Sequence, residues 1–167
     1  MCKEKSIGTY QGFTLLELLV VIAIVAVITQ LGIPNITRFL DSNKANTQIN
    51  KLVNSIREAR TTALTLNVNT IIVPRATDWT QGWQMGIDLE KDGIINTVLR
   101  ESDTADKLVF ETSPETIIFN SRGRTTPTFF SITPSSCSTI NPRRDINIAL
   151  TGYLEITNCD CLSKPCP

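Results

Sequence analysis

The hydrophobic pattern of the chain changes period twice, and each change marks an element. Residues 13–33, FTLLELLVVIAIVAVITQLGI, form a long apolar run that carries one carboxylate, Glu17. As a helix this run measures about 31 Å, close to the thickness of a bilayer core, and it predicts a membrane span. Lys3 and Lys5 precede it. A basic flank favours the cytoplasmic side, so the rest of the chain is expected outside. Beyond Pro34, Ile49, Leu52, Val53, Ile56, Ala59 and Ala63 recur at spacings of three and four, with Asn50, Lys51, Asn54, Arg57 and Glu58 opposite them. That is the stripe of an amphipathic helix lying on a soluble domain. Pro34 stands where it would kink or locally open the helix. The predicted spine is a single helix from Phe13 to about Leu66.

After Asn67 the pattern becomes that of strands, with NTIIV at 69–73 and WQMGIDL at 83–89. Residues 83–99 read as a hairpin with Asp92-Gly93 in its connection. Further strands are expected at 107–111, 116–119, 127–132, 146–149 and 152–157, separated by loops rich in Ser, Thr, Pro and Asn. No fixed-period repeat and no low-complexity linker divides this region. The fold class is therefore α+β: residues 1–12 ahead of the span, 13–33 as its apolar half, 34–67 as its amphipathic half, and a β-rich head over 68–167.

Composition narrows the chemistry. The 16 basic and 16 acidic residues among 167 cancel, so no global field draws in nucleic acid, and there is no histidine. The commonest neutral-pH acid/base and zinc ligand is thus missing. No Ser/His/Asp or Cys/His arrangement is possible, no Walker loop appears, and the expectation is a protein without catalysis, cofactor or metal. Asp88, Glu90 and Asp92 beside Gly93 lack the spacing of a calcium loop and read as a solvated hairpin tip. Trp79 and Trp83 read as packing residues.

Cys2 stands alone, while Cys137, Cys159, Cys161 and Cys166 crowd the C-terminus. Four cysteines beyond an apolar segment suggest disulfides in an oxidising compartment, with three connectivities open. Cys159 and Cys161 sit too close along a strand to bridge each other easily, which favours Cys137 with Cys159 and Cys161 with Cys166. A metal site on C-x-C-x4-C is the competing reading.

Two features remain unexplained by a plain anchor: a carboxylate inside a span is costly, and Gln30-Leu31-Gly32-Ile33-Pro34 is no signal-peptidase site. The stretch QGFTLLELLVVIAIVAVITQLGIP resembles the N-terminus of type IV pilins and pseudopilins. The resemblance implies that a prepilin peptidase cuts after Gly12 and methylates the new N-terminal residue, Phe13. It makes residues 1–12 a leader peptide. It also implies that Glu17 pairs, in the assembled filament, with the N-terminal amine of a neighbouring subunit, so that assembly relieves the cost of the lone charge.

Further on, TQGWQMGIDLEKDGIINTVLR and FNSRGRTTPTFFSI resemble the GspH/FimT branch of minor pilins and pseudopilins. The branch signatures fall on Gly82-Trp83, on Phe119 with Gly123, and on Gly152 before the last strand. The resemblance implies two small sheets packed on the helix. It also implies a subunit of the inner membrane with a periplasmic head, which moves to the pilus and cell surface on assembly. Its partners are then the prepilin peptidase, other minor and major pilins, and the inner-membrane assembly platform. The role implied is priming of a pilus that supports twitching motility, adhesion or DNA uptake, with a minor pseudopilin of type II secretion as the alternative. Branch members that bind DNA open the last strand with G-R-x-R; here the chain reads Gly152-Tyr153-Leu154-Glu155. A substitute patch requires Arg122, Arg124, Arg143 and Arg144 to converge, against the reading of solvated turn arginines.

Overall fold

The computed structural model describes residues 12–161, and of residues 30–35 only the backbone. Helix α1 runs Leu15–Leu66, as its two apolar patterns predict. It ends at Asn67, whose φ of 56° is the left-handed turn that closes many helices. Eight strands follow: β1 Asn69–Arg75, β2 Asp78–Asp88, β3 Thr97–Glu101, β4 Leu108–Thr112, β5 Ile117–Phe119, β6 Thr128–Pro134, β7 Arg143–Ile148 and β8 Leu154–Cys159. The chain divides into two compact units, with the boundary between Arg38 and Phe39.

The second unit is a head of two four-stranded sheets with orders β3-β2-β1-β5 and β4-β6-β7-β8. Every pairing in both is antiparallel. Each predicted strand is present, with shifted ends. The β2–β3 hairpin has its Asp92-Gly93 connection, lengthened to residues 89–96. Strand β2 starts five residues before the predicted Trp83, because a second hairpin joins it to β1 through Ala76 and Thr77. Both turn residues have positive φ, 47° and 65°, without the glycine or asparagine that marks such a turn in sequence. The Asp78 carboxylate accepts the Thr80 N–H at 2.8 Å and supplies the local turn chemistry instead.

The helical stripe does what its spacing requires. Ala45, Ile49, Leu52, Val53, Ile56, Ala59 and Ala63 are all buried, in one cluster with Ile72, Trp83, Met85, Phe119, Phe130, Ile132, Ile146 and Ile148 from both sheets. The two tryptophans belong to this core, and both satisfy their N–H groups. Trp83 Nε1 donates to the Ser55 hydroxyl of α1 at 3.0 Å, and Trp79 Nε1 donates to the Pro114 carbonyl at 2.8 Å. Trp79 meets Phe130 edge-on at 5.0 Å between centroids. Gln48 pins the crossover between the sheets: its amide donates to Thr104 O and Asp106 Oδ1, and its oxygen accepts the Lys107 N–H. Thr70 Oγ1 donates to Ala59 O at 2.8 Å and ties β1 back to the helix.

Candidate functional site

The start of α1 carries the residues that the sequence singles out for processing and assembly. Residues 12–14 are not helical, and Phe13 is 84% exposed. Thr14 is the N-cap: its hydroxyl accepts the Glu17 N–H at 3.2 Å, and its carbonyl accepts the Leu18 N–H at 3.2 Å. Thr-x-x-Glu is the spacing of a capping box, with Glu17 at the third helical position. Its carboxylate therefore lies in the first turn, where the unpaired N–H groups and the helix dipole favour negative charge. Sequence reasoning singles out Glu17 and passes over Thr14, although the three-residue spacing is there to read. From Leu15 to Ile28 every large apolar side chain is exposed, half or more of its surface in most cases. Among the described residues no helix is long and apolar enough to cross a membrane. The last part of the expected span, with Pro34 and its kink, falls on residues 30–35, whose side chains lie outside the described residues.

At the other end of the chain the disulfide pairing differs from expectation. Cys137 bonds Cys161, with 5.9 Å between Cα atoms, and Cys159 is not its partner. The expectation placed Cys159 and Cys161 together on a strand. Strand β8 in fact stops at Cys159, which is buried opposite Arg143. Two residues later the chain has left the sheet, and Cys161 reaches the loop after β6 that holds Cys137. Cys159 is itself disulfide-bonded, and Cys166 lies outside the described residues.

The four arginines proposed as a substitute patch do not converge. Arg122 and Arg124 are exposed on a tight turn whose backbone N–H groups bond the Asn120 side chain. Arg143 is only 2% exposed and sits 3.4 Å from the Asp145 carboxylate. Arg144 donates to Asn46 Oδ1 at 2.6 Å, and its burial lowers the guanidinium below its usual value. The two pairs mark opposite ends of the head. Gly123 packs on Leu64, whereas Asn46 lies about 27 Å back along α1. A buried ion pair and a core-facing strand are invisible in NPRR, where two arginines read as a solvated turn. Asp88 is also more than part of a solvated tip: it is buried, and its two carboxylate oxygens accept the N–H groups of Asp92 and Gly93.

The signature glycines acquire a physical reason. A Cβ on Gly152 would lie 2.3 Å from the Gly123 carbonyl oxygen and 2.7 Å from Arg60 Nε, and Gly152 has φ of 74°. The turn before β8 thus rests directly on the turn after β5 and on the end of α1. Known proteins match both this head and the N-terminal segment. Residues 9–29 match the prokaryotic N-terminal methylation motif, and residues 48–152 match the type II transport protein GspH family. The chain belongs to the GspH family. Among solved structures, this GspH-family chain is similar to the type IV minor pilin FimU of Pseudomonas aeruginosa. In one crystal form the TM-score is 0.57 at 20% identity, over 71% of this chain and 92% of that one. In another it is 0.54 at 20% identity, over 67% and 91%. The minor pseudopilin EpsH of Vibrio cholerae gives 0.48 at 14% identity, over 69% and 97%. No curated protein matches the sequence significantly. The helix-plus-antiparallel-sheet head is the pilin fold.

Proposed function

We propose that this GspH-family chain is a minor pilin that primes assembly of a type IV pilus. Residues 13–33 hold it in the inner membrane with the head outside. The prepilin peptidase removes residues 1–12 by cutting after Gly12, and Phe13 is N-methylated. The subunit then passes through the assembly platform to other minor and major pilins, and the pilus serves twitching motility, adhesion or DNA uptake. The observation that carries this reading is the start of α1: an exposed, non-helical Gly12-Phe13 followed by apolar side chains from Leu15 to Ile28 that stand open to their surroundings. Such a surface needs lipid first and neighbouring helices afterwards. Glu17 fits the same sequence of environments, since a carboxylate held at a helix start can meet a neighbour's amine only when the subunits are in register. The disulfide that closes the head supports an exposed, extracytoplasmic position.

A second reading, a minor pseudopilin of a type II secretion system, is supported by the family match over residues 48–152. Deleting the gene and scoring surface pili and protein secretion side by side separates the two. Loss of pili with secretion intact is expected; intact pili with lost secretion transfers the protein to the secretion system. Mass spectrometry of the mature N-terminus tests the shared step, for which methylated Phe13 is the expected first residue.

A further inference from the structure

The charges of the head are compensated unevenly. Lys44, Lys51, Arg100 and Lys107 each meet a carboxylate within 3.2 Å, and buried Arg143 sits at 3.4 Å from Asp145. Around the contact of Gly123 with Gly152 the balance is different. Arg57, Arg122 and Arg124 make no ion pair among the described residues, and Arg60 Nε is buried there without a hydrogen-bond partner. The fold brings Arg60, from the helix, beside the turn that carries Arg122 and Arg124. Arg60 touches Gly152, Gly152 touches the Gly123 carbonyl, and Arg122 and Arg124 flank Gly123. Arg57 and Arg60 line one groove with Leu64 and Tyr153; Arg122 and Arg124 line a second with Leu150. Leu64, Leu150 and Tyr153 are exposed, Tyr153 to 65%.

We infer that this surface docks a neighbouring subunit of the filament through an apolar patch bordered by carboxylates. The inference rests on the assembly role above. Charge complementarity fixes the sign of the partner, since unpaired cations beside an unpaired buried N–H favour an incoming acid. Composition fixes its class. Arginine without lysine, set around exposed tyrosine and leucine, is the make-up of a protein interface and its hot spots. A phosphate-backbone site would be more uniformly polar and basic. A guanidinium there can bind a carboxylate with both arms of its fork, while the leucines and the tyrosine ring lose water against the partner.

The test is the full chain in its own cells, with Arg57→Glu, Arg122→Glu and Arg124→Glu combined. These three side chains are exposed and hold no part of the head together, so Arg60 is left untouched as a guard against misfolding. The control reverses exposed charges elsewhere, Arg75→Glu with Lys91→Glu. Both variants are checked for membrane insertion and for an unchanged melting temperature, then quantified in sheared filaments. The expected result is a loss of about tenfold or more for the triple variant, the size of a hot-spot truncation, with the control at the wild-type level. Wild-type recovery of the triple variant overturns the docking surface while leaving the assembly role standing, and equal loss of the control overturns it too. Absence of the unaltered chain from filaments removes both. Binding of a duplex oligonucleotide by the detergent-solubilised chain, abolished in a triple variant that still enters filaments, gives the surface to nucleic acid instead.

Discussion

The Thr14 hydroxyl accepts the N–H of Glu17 at 3.2 Å, so the residue that starts the helix and the residue proposed to align subunits are one unit. Thr14→Ala removes an N-cap and is expected to cost about 1 kcal/mol of local helix stability, with Thr14→Ser retaining it. Hydrogen exchange at Leu16, Glu17 and Leu18 checks this; unchanged protection in Thr14→Ala would show that the cap contributes nothing.

Glu17→Leu or Glu17→Ala is expected to leave the protein in the membrane and to impair its entry into filaments. Removing the charge makes the apolar run more comfortable in lipid, so insertion has no reason to fail. Alignment against a neighbour's amine is lost. Sheared filaments containing the variant at the wild-type level would sink the pairing.

Ser55 accepts the Trp83 N–H inside the core, at 3.0 Å. Ser55→Ala leaves a buried indole N–H without a partner and is expected to destabilise the head by about 1–3 kcal/mol. Urea unfolding followed by tryptophan fluorescence reads the change as a shift in midpoint.

Gly152→Ala introduces a methyl group where the Gly123 carbonyl oxygen already stands, at a backbone conformation that alanine rarely adopts. The expected cost is about 2 kcal/mol or more. A melting temperature equal to that of the parent would mean that the two turns separate freely.

The Cys137–Cys161 bond closes a loop of 24 residues, which in the chain-entropy picture is worth about 3 kcal/mol. Cys137→Ser with Cys161→Ser is expected to lower the midpoint accordingly. Peptide mapping of the parent is expected to return Cys137–Cys161 and a second link from Cys159 to Cys166.

Asp106 and Lys107 give the head a signed pH dependence. The Lys44 hydrogen bond, then that of Gln48, holds the Asp106 carboxyl below its usual 3.8. Its contribution is present above that value and is lost as pH falls through the lower, folded one. The hydrogen bond from Lys107 to Asp41 raises the lysine above 10.5, so its contribution is present below that value and is lost as pH rises through the folded one. Asp106→Asn is therefore expected to differ from the parent at about pH 6 and to approach it under acid, read from urea midpoints across the range.

Elements whose pattern is local were legible from the residues alone. The helical stripe from Ile49 to Ala63 is buried as its spacing demands, and short β-branched runs such as NTIIV became strands. Period and burial are linked by geometry alone, so those positions needed no knowledge of their neighbours. The T-x-x-E spacing at Thr14 is legible in the same way, although the charge of Glu17 is its more conspicuous feature.

Relationships between distant residues, by contrast, came only from packing. NPRR reads identically whether Arg143 is solvated or buried beside Asp145, and only the partner strands settle it. Disulfide connectivity depends on where β8 stops, a matter of two residues that spacing cannot resolve. Arg60 and the turn that carries Arg122 and Arg124 lie some sixty residues apart in sequence, and they meet because Gly123 and Gly152 have no side chains to hold them apart. Periodicity encodes which face of an element is apolar; which elements then meet is set by packing the whole core at once.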